Sequence, residues 1–338
     1  MSFRLRAAHA ADIEPLYEMA KLTGGGFTNL PPDRGTLVEK LARSDHAFAR
    51  DADLPGPDMF LFVLENVDEG RIYGTCQAFG RVGIEQPFYS YRITTLTQTS
   101  PQLGKTFRAE SLNLVTDFDG CSEVGGLFLH PQARASGLGL LLARSRYLFI
   151  KAHRKRFGDR LIAELRGVID EGGGSPFWDA IAGRFFGMSF QEADEFNAAH
   201  GNQFIADLMP KHPVYVAMLG EEAKRVIGVP HPTGRAAMRM LEDEGFAHEG
   251  YVDIFDGGPT MTARTDQVRS VREAAPAKVV DTQLELGEKC LMATGALGSF
   301  RAAYGMRETR GDGGVAINAR TARVLEVGVG DEVWSVPR

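Results

Sequence analysis

Two residue patterns in this chain could do chemistry. The first is Arg134-Ala-Ser-Gly137-Leu-Gly139, which follows an apolar run from Val124 to Leu129 and opens at once into a helical pattern. A strand feeding a glycine turn that starts a helix leaves unpaired backbone N–H groups at the helix N-terminus, where an anion binds. Spacing separates the known phosphate cradles. A Walker A loop ends in Gly-Lys-Ser/Thr, whereas Gly139 is followed by Leu140. A dinucleotide fingerprint needs G-x-G-x-x-G, whereas Leu142 stands three residues after Gly139. The second pattern is His231 between Pro230 and Pro232. The prolines hold its backbone extended and restrict the direction of its ring. A histidine titrates in the range that proton transfer at neutral pH needs. His212, in Pro210-Lys-His-Pro213, competes with it, and His130 reads as the cap of the Val124 strand.

Composition narrows the classes. The chain has 338 residues, 43% hydrophobic and 24% charged, enough for two domains with proper cores. A net charge of −6 leaves no basic field for nucleic acid. The one basic run, Lys151-Ala-His-Arg-Lys-Arg156, falls at the end of a helix, where cations offset the macrodipole. Cys76, Cys121 and Cys290 are too scattered for a zinc site or a disulfide framework, and no histidine pair has metal-ligand spacing, so no metal is expected. No apolar stretch reaches membrane-span length and the first residues lack a signal-peptide core. The expectation is a soluble, cytoplasmic protein with no membrane partner.

The elements that must position these residues follow from periodicity. Residues 3–7 read as a strand, and Asp12 as the N-cap of a helix to about Lys21. A second helix spans about Arg34 to Arg43. Strands are expected at 60–65, 72–80, 91–98, 111–117 and from Val124, then a helix after Gly139 and a strand at 161–169. Two helical segments, 177–186 and 236–244, end in a glycine and then a phenylalanine, which suggests a duplicated unit. The expected organisation is a first half over 1–190, a second half over 191–265, and a linker plus small β region over 266–338. Val268 to Lys278 is the linker segment, being polar and containing alanine and proline.

The glycine loop and the order β-α-α-β-β-β-β-β-α-β resemble the GNAT acyltransferase superfamily, with Arg134, Gly137 and Gly139 in the positions of its R/Q-x-x-G-x-G/A segment. The resemblance implies an α+β fold: a GNAT-like mixed, mostly antiparallel sheet with flanking helices, in two GNAT-like halves, plus a small C-terminal β appendage. It implies that the loop grips the diphosphate of coenzyme A, that the Val124 strand splays from its neighbour, and that Leu127 contacts acyl-CoA. Further segments are more distinctive: Thr23-Gly-Gly-Gly-Phe-Thr-Asn-Leu-Pro, Ala163-Glu-Leu-Arg-Gly-Val-Ile-Asp-Glu171, Ser175-Pro-Phe-Trp178, Val226-Ile-Gly-Val-Pro-His231-Pro and Gly250-Tyr-Val-Asp-Ile-Phe-Asp-Gly-Gly-Pro259. Over residues 3 to 270 the chain resembles the arginine N-succinyltransferase family.

That resemblance implies transfer of succinyl from succinyl-CoA, a co-substrate rather than a resident cofactor, to the α-amino group of L-arginine. It implies His231 as the catalytic proton donor. A related branch consists of paired subunits acting on arginine and ornithine, so a homo- or hetero-oligomer is expected. Action on ornithine, another acyl-CoA, or a non-catalytic partner subunit are the competing readings. A guanidinium substrate wants planar, bidentate carboxylates. Asp253 and Asp256 are assigned to it, with Glu164, Asp170 and Glu171 as further candidates. The succinyl carboxylate wants a cation or hydroxyl, and Arg166 is assigned there ahead of Lys211 and Ser175.

Overall fold

The computed structural model describes residues 2–23, 29–134, 137–200, 203–311 and 313–338. The longest apolar run sets the frame. β1 (Phe3–Ala7), β2 (Met59–Asn66) and β3 (Arg71–Phe79) form an antiparallel meander with β2 in the middle. Residues 59–64 of β2 are all buried, as a strand covered on both faces must be. α1 (Ile13–Lys21) and α2 (Arg34–Ala49) cover one face, placing Leu16, Met19, Leu37 and Leu41 on Leu61 and Val63. Asp12 stands at the N-cap position of α1, as expected, but its side chain makes no capping bond to the helix. It grips Arg6 through two 2.8 Å hydrogen bonds and accepts the His9 N–H, closing the turn before the helix. α2 continues past Arg43 because Ser44 Oγ accepts the Leu61 N–H and Phe48 packs on Phe60 and Phe62.

β4 (Ser90–Ser100) and β5 (Lys105–Val115) form a long hairpin. β6 (Ser122–Leu129) pairs with β3, α3 (Leu138–Ala152) crosses back over the sheet, and β7 (Arg160–Glu164) follows. Four short helices come next: α4 (Pro176–Ala180), α5 (Gly183–Phe186), α6 (Phe190–His200) and α7 (Gln203–Leu208). Then come β8 (Val214–Tyr215), α8 (Glu221–Val226), α9 (Arg235–Asp243), β9 (Ala247–Val252) and β10 (Pro259–Arg264).

The expected duplication does not produce a second sheet among the described residues. β10 adds antiparallel to β7, β9 to β10, and the β4–β5 hairpin to β9. Residues 191–265 thus complete the sheet that 1–190 begins. A lone two-stranded hairpin such as β9–β10 could not bury enough surface to stand apart.

The expected linker is also structured. Val268 and Val271 are buried around α10 (Arg269–Glu273), and Ser270 bonds Glu244 through both N–H and hydroxyl. β11 (Ala275–Asp281), β12 (Glu288–Thr294), β13 (Arg301–Thr309), β14 (Val315–Ile317), α11 (Ala319–Leu325) and β15 (Glu332–Pro337) follow. β13 pairs with β1, so these strands extend the main sheet. Phe300 enters the same aromatic core, against Phe62 and Phe149. α3 is therefore covered on almost every side, which explains its apolar surface. Its buried Arg144 pairs with Glu244 at 2.9 Å and donates to the Pro337 carbonyl at 2.9 Å, riveting the end of β15 to the helix. No helix among the described residues is long and apolar enough to cross a membrane.

Candidate active site

The site begins where two parallel strands part. β6 and β7 pair only at Ser122↔Leu161 and Glu123↔Ile162. β6 then runs on to Leu129, while β7 ends at Glu164. Past Glu123 the edge of β6 that faces β7 has no strand partner among the described residues. β6 also carries an extra residue there: Gln77 pairs with Gly125, and Thr75 with Phe128. Gly126 occupies this bulge at φ +58°, a conformation that favours glycine. A side chain at 126 would run into Gln77, whose Cδ lies 2.8 Å from the place of a Cβ. The Leu127 side chain, next along the strand, packs against the main core. Arg146 of α3 braces the bulge by donating to the Gly125 carbonyl at 3.1 Å.

Beyond β6 the chain turns into α3. His130 caps the turn, accepting the Gln132 N–H at Nδ1, and Arg134 donates from Nε to the Leu129 carbonyl at 3.2 Å. Ala135, Ser136 and the 24–28 part of the glycine-rich motif lie outside the described residues. Gly137 is the N-cap of α3, at φ +75°. No side chain caps the helix, and its first intrahelical bond runs from Leu141 N–H to the Gly137 carbonyl. The N–H groups of Leu138, Gly139 and Leu140 therefore have no intrahelical partner, an arrangement that can receive an anion with the dipole behind it. The far end of the chain completes this corner. Tyr304 donates its hydroxyl to the Gly137 carbonyl at 3.4 Å, and the Arg338 guanidinium stacks over the Tyr304 ring at 4.5 Å. A Cβ on Gly137 would lie 2.7 Å from Arg338 Nη2. A cation beside the positive end of a helix makes electrostatic sense when an anion is to be received there. Sequence reading gave the last 60 residues a small β region but no site residue. Arg338 and Tyr304 are single residues without a local motif.

His231 stands across the opening. Its N–H donates to the Arg166 carbonyl at 2.7 Å, just past the end of β7. Counting the β6–β7 register forward, Gly125 falls level with Glu164, and the bulge places 127–128 level with Arg166. In the tautomer that carries its proton on Nδ1, the His231 ring donates to Thr233 Oγ1 at 2.7 Å. Nε2 is left for a substrate. Burial, and then the Arg166 charge, hold the imidazole below its ordinary pKa. It is therefore neutral at pH 7 and able to take a proton. His212 is exposed, next to β8 at the far edge of the sheet, with four strands between β8 and β7. His200 belongs to the residues whose side chains are not described.

The carboxylates divide by role. Asp256 was expected to bind guanidinium, but both its oxygens already accept backbone N–H groups, from Gly167 at 2.7 Å and Gly258 at 2.8 Å. It pins the 253–258 loop to the exit of β7, where Gly167 and Gly258 let two backbones touch. Asp253 Oδ1 accepts from the N–H groups of Phe255 and Asp256, which commits one oxygen to the turn. Asp170 closes its own loop by accepting the Gly174 N–H. Glu164 has no such duty, and its pKa lies well above the usual range because of burial and then the charges of Asp253, Glu123 and Asp256. Of the cations, Arg166 flanks His231, while Lys211 is exposed near β8. Ser175 is fully buried as the N-cap of α4.

A polar cluster under the bulge escaped the sequence reading. Glu123 is buried there, its pKa raised by burial and opposed by Lys40 and Arg146. Gln77 donates to the Asn29 carbonyl at 2.8 Å beside it. Nothing in the local pattern sets these residues apart from an ordinary strand and helix.

Comparison with known proteins gives the following. Residues 3–270 match a family model described as arginine N-succinyltransferase beta subunit, and residues 274–337 match the model of its C-terminal domain. The arginine N-succinyltransferase of Citrobacter koseri is 42% identical over 301 residues, 88% of this chain and 87% of that protein. That of Salmonella paratyphi B is 40% identical over 332 residues, 97% of this chain and 96% of its own. Among solved structures, subunit AI of the arginine/ornithine succinyltransferase of Pseudomonas aeruginosa superposes with a TM-score of 0.90 at 31% identity, covering 99% of this chain and 98% of that one.

Proposed function

The chain belongs to the arginine N-succinyltransferase beta subunit family, and from that premise we propose that it transfers succinyl from succinyl-CoA to the α-nitrogen of L-arginine. The observation that carries the reading is the parting of β6 and β7, with the Gly126 bulge on one side and His231 on the other.

Each feature has a task. The N–H groups of Leu138, Gly139 and Leu140 that lack an intrahelical partner, with Arg134 and Arg338 nearby, hold the CoA diphosphate. The pantetheine arm enters between the strands and brings the thioester level with Leu127. His231 Nε2 takes a proton from the α-ammonium. The freed nitrogen attacks the thioester carbon, forming the C–N bond and moving the carbonyl π pair onto oxygen. Backbone N–H groups at the bulge receive that oxyanion, a contribution of about 10² to 10³ in rate per donor. Collapse breaks the C–S bond, and His231 returns its proton to the leaving sulfur. The second ammonium proton passes to solvent, leaving the neutral amide. Arg166, beside His231, faces the succinyl carboxylate, and Asp253 with its remaining oxygen faces the acceptor. The reading includes a cytoplasmic setting, supported by three buried free thiols.

The test uses the purified chain alone with succinyl-CoA and arginine, following CoA release with a thiol reagent. Turnover is expected, with acetyl-CoA and ornithine as poorer substrates. No CoA release from the lone chain would overturn the reading in favour of a partner-dependent subunit. His231→Ala is expected to lower kcat by about 10² to 10⁴ while CoA still binds.

A further inference from the structure

Beyond the level of His231, toward the apex where the strands meet, buried polar atoms lack partners among the described residues. Glu164 Oε1 is sealed and makes no hydrogen bond. Thr260 stands directly across the β7–β10 ladder from Glu164, is 0% exposed, and has an unpartnered Oγ1. Leu161 and Ala163 of β7 turn the other way, into the core with α3, so Glu164 and Thr260 share the opposite face. Buried polar groups are satisfied in the great majority of cases. Two orphans facing each other across one ladder, one of them a carboxylate amid other carboxylates, point to a bound cation that supplies the missing donors.

The distance identifies which cation. Glu164 lies two residues down β7 from Arg166, about 6.6 Å at roughly 3.3 Å per residue. Five bonds separate Cα from the guanidinium carbon of arginine, and an extended side chain spans a similar length. We propose that Glu164, with Thr260, receives the guanidinium of the acceptor while its α-nitrogen lies at the level of His231, a reading that rests on the acyl transfer above. A guanidinium carries five N–H donors in one plane. The Glu164 carboxylate takes a pair of them, and the Thr260 hydroxyl accepts another. The ammonium of ornithine ends at the position of arginine Nε. It leaves the orphan oxygens unfilled, so this site also sets side-chain selectivity.

The experiment measures L-arginine binding to the CoA-loaded protein by calorimetry, beside steady-state kinetics with arginine and with citrulline, its neutral ureido counterpart. Glu164→Gln keeps shape and removes charge. It is expected to raise the arginine Kd and KM by about 100-fold. The succinyl-CoA KM should hold, and the preference for arginine over citrulline should collapse. Thr260→Val is expected to raise the arginine Kd by about tenfold, and it carries the test if Glu164→Gln does not fold. An arginine Kd unmoved by either variant overturns the proposal. So does a fall in kcat at unchanged Kd, which would make Glu164 a proton acceptor for the α-ammonium instead. Wild-type protein that binds arginine through Glu164 without turning over would contradict the reaction and leave this site standing. Turnover that ignores Glu164→Gln would contradict the site alone.

Discussion

Replacing Gly126 with alanine tests whether the bulge in β6 is the seat of the chemistry. The residue has φ +58°, and an L side chain in that region costs about 1–2 kcal/mol. The new methyl would lie 2.8 Å from Gln77 Cδ and 2.9 Å from its Cγ and Nε2. Gln77 is 1% exposed and donates to the Asn29 carbonyl at 2.8 Å, so it cannot swing aside without breaking a half-buried hydrogen bond. Overpacking of this kind adds about 1–3 kcal/mol. The two terms together predict a loss of about 2–5 kcal/mol in unfolding free energy, read by urea titration. Flattening the bulge is the route of relief, and it displaces the backbone N–H groups assigned to the oxyanion. Removing one oxyanion donor in this way should lower kcat by about 10² to 10³, measured by CoA release where the variant is fully folded. The CoA Kd should stay within about threefold, because the Gly137 corner is untouched. A folded Gly126→Ala protein with full kcat refutes the reasoning. So does one that loses CoA affinity in proportion to rate.

Two further outcomes follow from the same geometry. The His231 pKa lies below 6.5 through burial and then Arg166. The working form is neutral, so activity is lost as pH falls through that depressed value. The acid limb of kcat/KM, which reports the free enzyme, should move up toward the ordinary histidine range in Arg166→Gln, and a limb that stays or moves down contradicts the assignment. At the other corner, Gly137→Ala meets φ +75° and the tip of Arg338, which can swing away. Calorimetry should show about 1–2 kcal/mol lost with CoA binding weakened. Gly139→Ala sits in the helix with only Leu129 Cδ2 nearby, at 3.9 Å, and should be neutral or gain up to about 1 kcal/mol. Equal effects at the two glycines would refute the left-handed cap as the shaper of the anion site.

The sequence by itself determined what depends on neighbours along the chain. The spacing of Arg134, Gly137 and Gly139 after an apolar run placed a helix N-terminus at the end of a strand, and the structure has it there. The element order through β7 was legible because strand and helix periods are local, and the family showed in short segments. The prolines around His231 marked a held backbone but not what it faces. Only the tertiary structure decided that the strands of 191–265 complete the sheet that 1–190 begins, that 268–278 is packed, and that Asp256 braces a loop. It also decided that Glu164 faces Thr260 and that Arg338 reaches Gly137. The physical reason is common to all of these. A strand's partner is set by which edges remain free once the rest has packed, and a carboxylate's role by which N–H groups arrive beside it. Neither is written in the residues next to it.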